Sequence, residues 1–326
     1  MTTNLPDALI GAIAETIQPF SLGDLRKHAQ SLSTGYRTRD DIRHTLSPIE
    51  SAAYLCVRFP STYAVAAAVW QEILGRIDGS EIRTILDAGA GPGTASLAAF
   101  EQIPEARLHL LERDSGWRPI AEACARAVGA HLRFSAGSIE HAGPDIHDAV
   151  VASYALNELP RMVLEKTVVD LWRCTAKVLV IIEPGTPLGF DIIRRIRAIL
   201  IEAGAYTIAP CPHDLTCPMT GTDWCHRPVR VLRSEIHRRV KDADLAYEDE
   251  KFSYVAVSRN VLPAMSAARI VRKPMLAKGH LHLDVCQNGG IRRLTYSKKN
   301  RAAYKSARDS AWGDLWEPDQ SPRPLS

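Results

Sequence analysis

The sequence predicts an α/β protein whose central parallel sheet carries helices on both faces. Three observations lead there. From 82 to about 205, short apolar runs alternate with amphipathic segments, the pattern of consecutive strand–helix units. The first of these strands runs straight into a glycine string, Asp87-Ala-Gly89-Ala-Gly91-Pro-Gly93. Beyond 205 the alternation stops, in a stretch to 250 that holds three cysteines and four prolines. The chain then reads as a helical region over 1–80, a sheet domain over 81–205, a cysteine-rich segment with the last sheet strands over 206–262, and a basic β module with a terminal helix over 263–326.

The helical region follows from spacing and caps. Leu9, Ile10, Ile13 and Ile17 recur at helical intervals. Ser47-Pro48-Ile49-Glu50 is a helix start: Ser47 caps, Pro48 suits the first turn, and Glu50 stands three residues after the cap. That helix ends at Phe59-Pro60, and an alanine-rich one follows to Leu74. In the sheet domain, strands are expected at 82–86, 107–111, 132–134, 149–153 and 177–182, with helices at 94–103, 117–128, up to 172, and 190–203. Further on, 251–257, 268–272 and 280–285 read as strands. Asn288-Gly289-Gly290 reads as a hairpin turn, and 300–316 as a basic amphipathic helix that places Trp312 and Trp316 four apart.

The 326 residues are 46% hydrophobic and 24% charged, which excludes a disordered or collagen-like chain. The longest apolar strand-like run is Val178–Ile182, far short of the roughly 18 residues of a spanning helix, so no membrane partner is expected. Asp7 and Glu15 precede the first basic residue, Arg26, and neither a signal nor a transit peptide is recognisable. A bacterial-type cytoplasmic protein is the expectation, with its seven cysteines as thiols or metal ligands rather than disulfides. Charge is uneven. Residues 226–308 hold 19 of the 40 Lys+Arg and only 7 of the 37 Asp+Glu, which points to an anionic partner such as nucleic acid.

The glycine string is the most informative local motif. Glycines at alternate positions let the backbone turn and approach a ligand closely, and the following helix offers free N–H groups. A dinucleotide fingerprint would place its third glycine one residue later, and Asp87 would repel a pyrophosphate. The pattern resembles motif I of class I S-adenosylmethionine-dependent methyltransferases. That resemblance implies a Rossmann-like methyltransferase fold with S-adenosylmethionine held at Asp87, Gly89, Gly91 and Gly93. It implies that Glu112, closing the next strand, binds the ribose hydroxyls, and that Ser138 replaces the family's usual aspartate at the adenine. Ser153 begins the stretch Ser153-Tyr154-Ala-Leu-Asn157-Glu158 that faces the methyl group. Tyr154 and Glu158 are candidate bases by position, while no Asn-Pro-Pro-Tyr or Pro-Cys acceptor motif is present. A nicotinamide oxidoreductase is the remote alternative.

Cys211, Cys217 and Cys225 stand at Cys-x5-Cys-x7-Cys spacing, and Cys286 follows 61 positions later. Prolines 210, 212, 218 and 228 hold this polar segment as loops. Four thiolates so placed suit a zinc ion or an iron–sulfur cluster, with His213 and His226 as further candidate ligands. Cys56, Cys124 and Cys174 lie on apolar helical faces and read as core.

With the loop at Asp87, the string Cys211-Pro-His-Asp, Cys217-Pro, Trp224-Cys225-His226-Arg-Pro and Glu248-Asp-Glu-Lys251-Phe-Ser-Tyr254 resembles the methyltransferase-like small-ribosomal-subunit assembly proteins of mitochondria and their bacterial relatives, the Rsm-twenty-two family. The resemblance runs from Ala52 through Asp314. It implies a four-iron, four-sulfur cluster on Cys211, Cys217, Cys225 and Cys286, with zinc the alternative metal. It also implies action on the small ribosomal subunit and its rRNA. Arg292, Arg293, Lys298, Lys299, Arg301, Lys305 and Arg308 then offer contacts to phosphates, and Tyr296 and Tyr304 to unpaired bases. Two functions fit this reading. One is a methyltransferase acting on the small subunit or its rRNA. The other is a non-catalytic iron–sulfur assembly factor that keeps the S-adenosylmethionine pocket.

Overall fold

The computed structural model describes residues 2–3, 5–38, 45–263 and 267–317. The Pro/Ser-rich end of the chain lies, from 318 onward, outside the described residues. Two compact units form: Met1–Glu183 with Val229–Glu250, and Pro184–Pro228 with Lys251–Ser326.

The first unit opens with β1 (Thr2–Thr3) and four helices, α1 (Asp7–Ile17), α2 (Leu22–Thr38), α3 (Pro48–Val57) and α4 (Phe59–Leu74). In α1 the helical period turns Leu9, Ile13 and Ile17 inward. The capping box expected at α3 forms: Glu50 N–H donates to Ser47 Oγ (3.4 Å), and Ser47 N–H donates to the Glu50 carboxylate (2.9 Å). Pro60 sits in the first turn of α4, which therefore bends away from α3 by 51°. Both helices are apolar because most of their residues are core. No single helix among the described residues is long and apolar enough to cross a membrane.

The sheet follows as β2 (Thr84–Ala88), α5 (Thr94–Phe100), β3 (Arg107–Glu112), α6 (Arg118–Val128), β4 (Leu132–Ala136), β5 (His147–Ser153), α7 (Arg161–Arg173) and β6 (Thr175–Pro184). These strands pair in parallel in the order β4-β3-β2-β5-β6. The order reverses between β2 and β5, which opens a crevice at their carboxyl ends. Helices cover both faces, so the central strands are buried runs: Val178 to Ile182 are at most 1% exposed. This is the mostly parallel α/β sheet of class I methyltransferase-like domains.

The chain passes into the second unit with α8 (Pro187–Glu202) and β7 (Tyr206–Ala209). It returns with β8 (Arg227–Leu232), α9 (Glu235–Lys241) and the start of β9 (Tyr247–Ser258), whose remainder belongs to the second unit. β1 pairs in parallel with β8, and β7 lies antiparallel to the end of β9.

The second unit continues with β10 (Ala268–Ile270), β11 (Met275–Ala277), β12 (His280–Gln287), β13 (Gly290–Ser297), α10 (Arg301–Asp309) and β14 (Leu315–Trp316). The strands form one antiparallel sheet over a core of Ala268, Ile270, Leu281, Leu283, Val285 and Ala307. Asn288 and Gly289, at φ +49° and +74°, make the two-residue turn between β12 and β13. The terminal helix is shorter than its periodicity suggests. Asn300 caps α10 by accepting from Ala303 N–H, and Ser310 is already extended. Gly313, at φ +93°, leads into β14, which pairs with β10. Trp312 and Trp316 therefore do not share a helix face. Trp316 Nε1 donates to the Tyr296 hydroxyl (2.7 Å), and the Trp312 ring meets that of His226 edge-on.

Candidate functional site

In the first unit the glycine string becomes a tight loop between β2 and α5. Gly89, Gly91 and Gly93 all have positive φ, at +73°, +53° and +80°. A Cβ on Gly89 would stand 2.6 Å from Ala155 Cβ, and one on Gly93 would stand 2.7 Å from Leu110 Cδ2. Only the space in front of Gly91 is open. Glu112 closes β3 and braces the loop, accepting from Gly91 N–H (2.9 Å) and Asp114 N–H (2.8 Å). Asp87 is 1% exposed and turned toward α5, where it accepts from Ser96 N–H (3.0 Å). Burial pushes its carboxyl up to about 7, against the Ser96 hydrogen bond.

The segment after β5 completes this end of the sheet. Tyr154 adopts φ +58°, unusual for a bulky residue, and its buried hydroxyl has no partner. Ser153 Oγ is likewise buried and unpartnered, whereas Ser138 caps the turn that follows β4. Glu183, at the end of β6, is a residue the sequence reading missed. It is fully buried and accepts from Leu156 N–H (3.0 Å), Asn157 N–H (3.2 Å) and Asn157 Nδ2 (2.7 Å). Burial lifts it to about 8 and Glu158 to about 7, the latter against the neighbouring Arg113. Asp87, Glu112, Glu158 and Glu183 thus lie within electrostatic reach of one another at the end of the sheet that holds the glycine loop and the unpartnered hydroxyls of Ser153 and Tyr154. That suits a ligand that is cationic and rich in hydroxyls, and it disfavours a pyrophosphate. S-adenosylmethionine, with its sulfonium, ammonium and ribose, fits this donor set.

In the second unit, Cys211, Cys217, Cys225 and Cys286 line a single cavity. The sequence reading brought these four together, and the fold explains how. Cys211 follows β7, Cys217 and Cys225 lie on the loop leading to β8, and Cys286 stands on β12 opposite Arg269 of β10. The loop is pinned by hydrogen bonds. Trp224 Nε1 donates to Gly185 O (3.1 Å), Ser253 Oγ to Cys225 O (2.8 Å), and Thr207 N–H to Asp214 (2.9 Å). Phe190, Met219 and Val271 form an apolar floor beside Cys286. Burial pushes the Cys286 thiol up to about 12 and raises those of Cys211 and Cys225. Cys56, Cys124 and Cys174 lie elsewhere in the core, as expected.

Among the described residues, no three His, Cys, Asp or Glu side chains converge tightly enough to clasp a single metal ion. A tetrahedral zinc site would need its sulfurs about 4 Å apart. The cavity has a void of about 50 Å³, room for a group of several atoms. Several polar atoms that line it are buried without a partner: Arg197 Nε, which donates, and His213 Nδ1 and both ring nitrogens of His226, whose roles depend on the tautomer. A group of several atoms that binds thiolates and accepts from Arg197 Nε fits the site, and an iron–sulfur cluster has those properties. His213 Nε2 is 3.5 Å from Cys286 Sγ, the place of a neighbour to a ligand.

Fold and loop together define a methyltransferase-like α/β protein. The chain belongs to the Rsm22 family: the model described as mitochondrial small ribosomal subunit Rsm22 matches residues 48–317. A human relative, the ribosome assembly protein METTL17, mitochondrial, is 25% identical over 291 residues, covering 81% of this chain and 62% of its own. The Rsm22-cox11 tandem protein 2, mitochondrial, of Schizosaccharomyces pombe is 24% identical over 349 residues, covering 85% of this chain and 44% of its own. The chain thus spans less than two thirds of the length of these relatives. Among solved structures, an O-methyltransferase family protein from Burkholderia thailandensis aligns with a TM-score of 0.44 and 13% identity, over 57% of this chain and 67% of that one. Magnesium protoporphyrin IX methyltransferase from Synechocystis PCC 6803, with bound SAH, gives 0.43 and 13%, over 73% and 99%.

The relatives correct one expectation. Bacterial-type cytoplasmic placement rested on the composition of the first residues, whereas the curated relatives are mitochondrial proteins and point to that compartment.

Proposed function

We propose that this chain is a ribosome assembly protein that acts on the small subunit and its rRNA. In this reading it binds S-adenosylmethionine at the glycine loop and a four-iron, four-sulfur cluster on Cys211, Cys217, Cys225 and Cys286. The observation that carries it is the convergence of four thiols, 75 residues apart in sequence at the extremes, on one cavity. Gly89, Gly91 and Gly93 would receive the ligand backbone-close, Glu112 the ribose, and Ser138 and Ser153 the two ends of the nucleoside and methionine parts. Bound there, S-adenosylmethionine supplies an activated methyl group, and the chain's contribution is to position an acceptor. Glu158, with its carboxyl near 7, is the group suited to take the acceptor's proton.

The rRNA surface in this reading is the basic face of the second unit. Arg292, Arg293, Lys298, Lys299, Arg301, Lys305 and Arg308 are exposed. Tyr296 is tied to Trp316, Tyr304 lies under Lys298, and both pack against the module's core. Contacts to phosphates rather than base stacking therefore carry the interaction.

A second reading is favoured by one observation: no acceptor motif follows β5. It is a factor that binds S-adenosylmethionine without turnover. Methyl transfer from labelled S-adenosylmethionine to immature small subunits separates the two. Incorporation that disappears in Glu158→Gln supports the enzyme, and ligand binding without incorporation supports the factor. Iron and acid-labile sulfide near four per chain after anaerobic purification are expected in both. Stoichiometric zinc without iron would refute the cluster.

A further inference from the structure

The basic stretch of the second unit contains one exception. From 251 to 308 the sequence holds thirteen Lys and Arg and a single acidic residue, Asp284. That residue stands on β12 directly opposite Arg293 of β13, so the two side chains share a face of the sheet. The Asp284 side chain is 7% exposed and the Arg293 side chain 57%. Arg293 Nε donates to Asp284 Oδ1 (2.8 Å) and Nη2 to Oδ2 (3.0 Å). A second arginine, Arg272 after β10, has its Nε 3.5 Å from Asp284 Oδ2, and its Nη2 donates to Asp223. Asp223, Arg272, Asp284 and Arg293 thus alternate in charge from the cysteine-rich loop to the basic strand β13.

The bidentate pair uses one edge of the Arg293 guanidinium, Nε with Nη2. Nη1 and the outer hydrogen of Nη2 bond nothing among the described residues. They form a second edge, a fork that matches two oxygens of a phosphate. Two roles are open to the carboxylate behind it. It can compete with RNA phosphates for the arginine, or it can hold the arginine still for them. Competition requires Arg293 to leave. A nearly buried carboxylate would then keep only the longer contact to Arg272, which is strongly unfavourable. The unequal exposure fits holding: the carboxylate is shielded from water and the arginine is open to it.

We propose that Asp284 is a positioning residue for RNA, which holds the Arg293 guanidinium as an oriented fork for one backbone phosphate. The inference rests on the rRNA reading above. The sign of the effect is opposite to the one expected from charge. A held fork has already given up the side-chain freedom that an unsupported arginine loses on binding. Removing this acidic residue therefore weakens the binding of a polyanion, although the protein becomes more positive. Lysine is no substitute at 293, because it is a point charge without a fork.

The test is fluorescence anisotropy of labelled single-stranded oligouridine, which offers phosphates without a choice of bases, titrated with the full chain. Asp284→Asn is expected to weaken binding at least about threefold, and Arg293→Gln and Arg293→Lys at least about fivefold each. In the Arg293→Gln background Asp284→Asn should cause no further loss, because it acts through that arginine. Binding by Asp284→Asn as tight as that of the unaltered chain, or tighter, overturns the proposal and makes Asp284 a competitor of RNA. The same loss on top of Arg293→Gln also overturns it and makes Asp284 a brace for the sheet alone. Should Asp284→Asn fail to fold, Arg293→Lys decides. A loss matching that of Arg293→Gln supports the fork, and parental affinity overturns it. If the unaltered chain binds no oligouridine and no rRNA fragment, the rRNA reading fails and this inference with it. Failure confined to the variants defeats only the role given to Asp284.

Discussion

Asp87 holds a proton that an exposed aspartate would have lost by pH 5, because it is buried at the end of β2. The native state therefore binds this proton more tightly than the unfolded state does. Stability attributable to it is full below the ordinary aspartate range and declines as pH rises from about 4 to about 7. Asp87→Asn removes this decline. Thermal unfolding at pH 8 without ligand should show the variant more stable by about 1–3 kcal/mol, with the gap closing at pH 4. At the same scale, Cys217→Ser should lower metal content and destabilise the second unit, whereas Cys124→Ser, in the α6 core, should leave metal content unchanged. Metal analysis of the purified variants checks this. The sequence names such residues but not the direction of their side chains. Asp87 reads from the motif as a ligand-facing carboxylate, and the fold turns it to Ser96 N–H instead.

Elements were legible where their determinants are local. The capping box of α3 needs only Ser47 and Glu50, and Ser47→Ala should cost about 1 kcal/mol in denaturant unfolding. The parallel strands were legible as short apolar runs because both faces of their sheet are covered. The last helix was read too long because amphipathic spacing continues to Trp316, while the stop depends on Ser310 and Gly313 and on the pairing of β14 with β10. Arg197 was not recognised as part of a site, although an arginine at an apolar position of α8 is the one local sign of it. The glycine loop makes a prediction of its own. A methyl group on Gly91 meets nothing within 4 Å, whereas one on Gly93 meets Leu110. Gly91→Ala should cost about 1–2 kcal/mol from its left-handed backbone alone, yet it places a methyl where the ligand would lie. Equilibrium dialysis should then show a loss of S-adenosylmethionine affinity greater than the loss of stability, and equal losses would argue against the loop as the binding site.

For the molecule as a whole, charge is the property most plainly written in composition. The excess of Lys and Arg over 226–308 reaches the surface of the second unit at β13 and α10, while the aromatic side chains nearby are used in packing. Binding of small-subunit rRNA fragments should therefore depend steeply on salt and little on base sequence. Changing Lys298, Lys299 and Lys305 to glutamine should weaken binding of all fragments alike. It should reduce the slope of log affinity against log salt by about 0.7–0.9 for each phosphate no longer neutralised, as filter binding over a salt series would show.

The interrupted path of the chain has a consequence for how the molecule is made. Val229–Glu250 returns to the first unit between two stretches of the second, so neither unit is a contiguous piece of the gene. During translation Cys211, Cys217 and Cys225 emerge well ahead of Cys286. A nascent polypeptide halted between them presents three of the cavity's four thiols to the surrounding solution, without the strand that carries the fourth. Products truncated before β12 should therefore fail to close this cavity, as faster alkylation of Cys211, Cys217 and Cys225 than in the full chain would show.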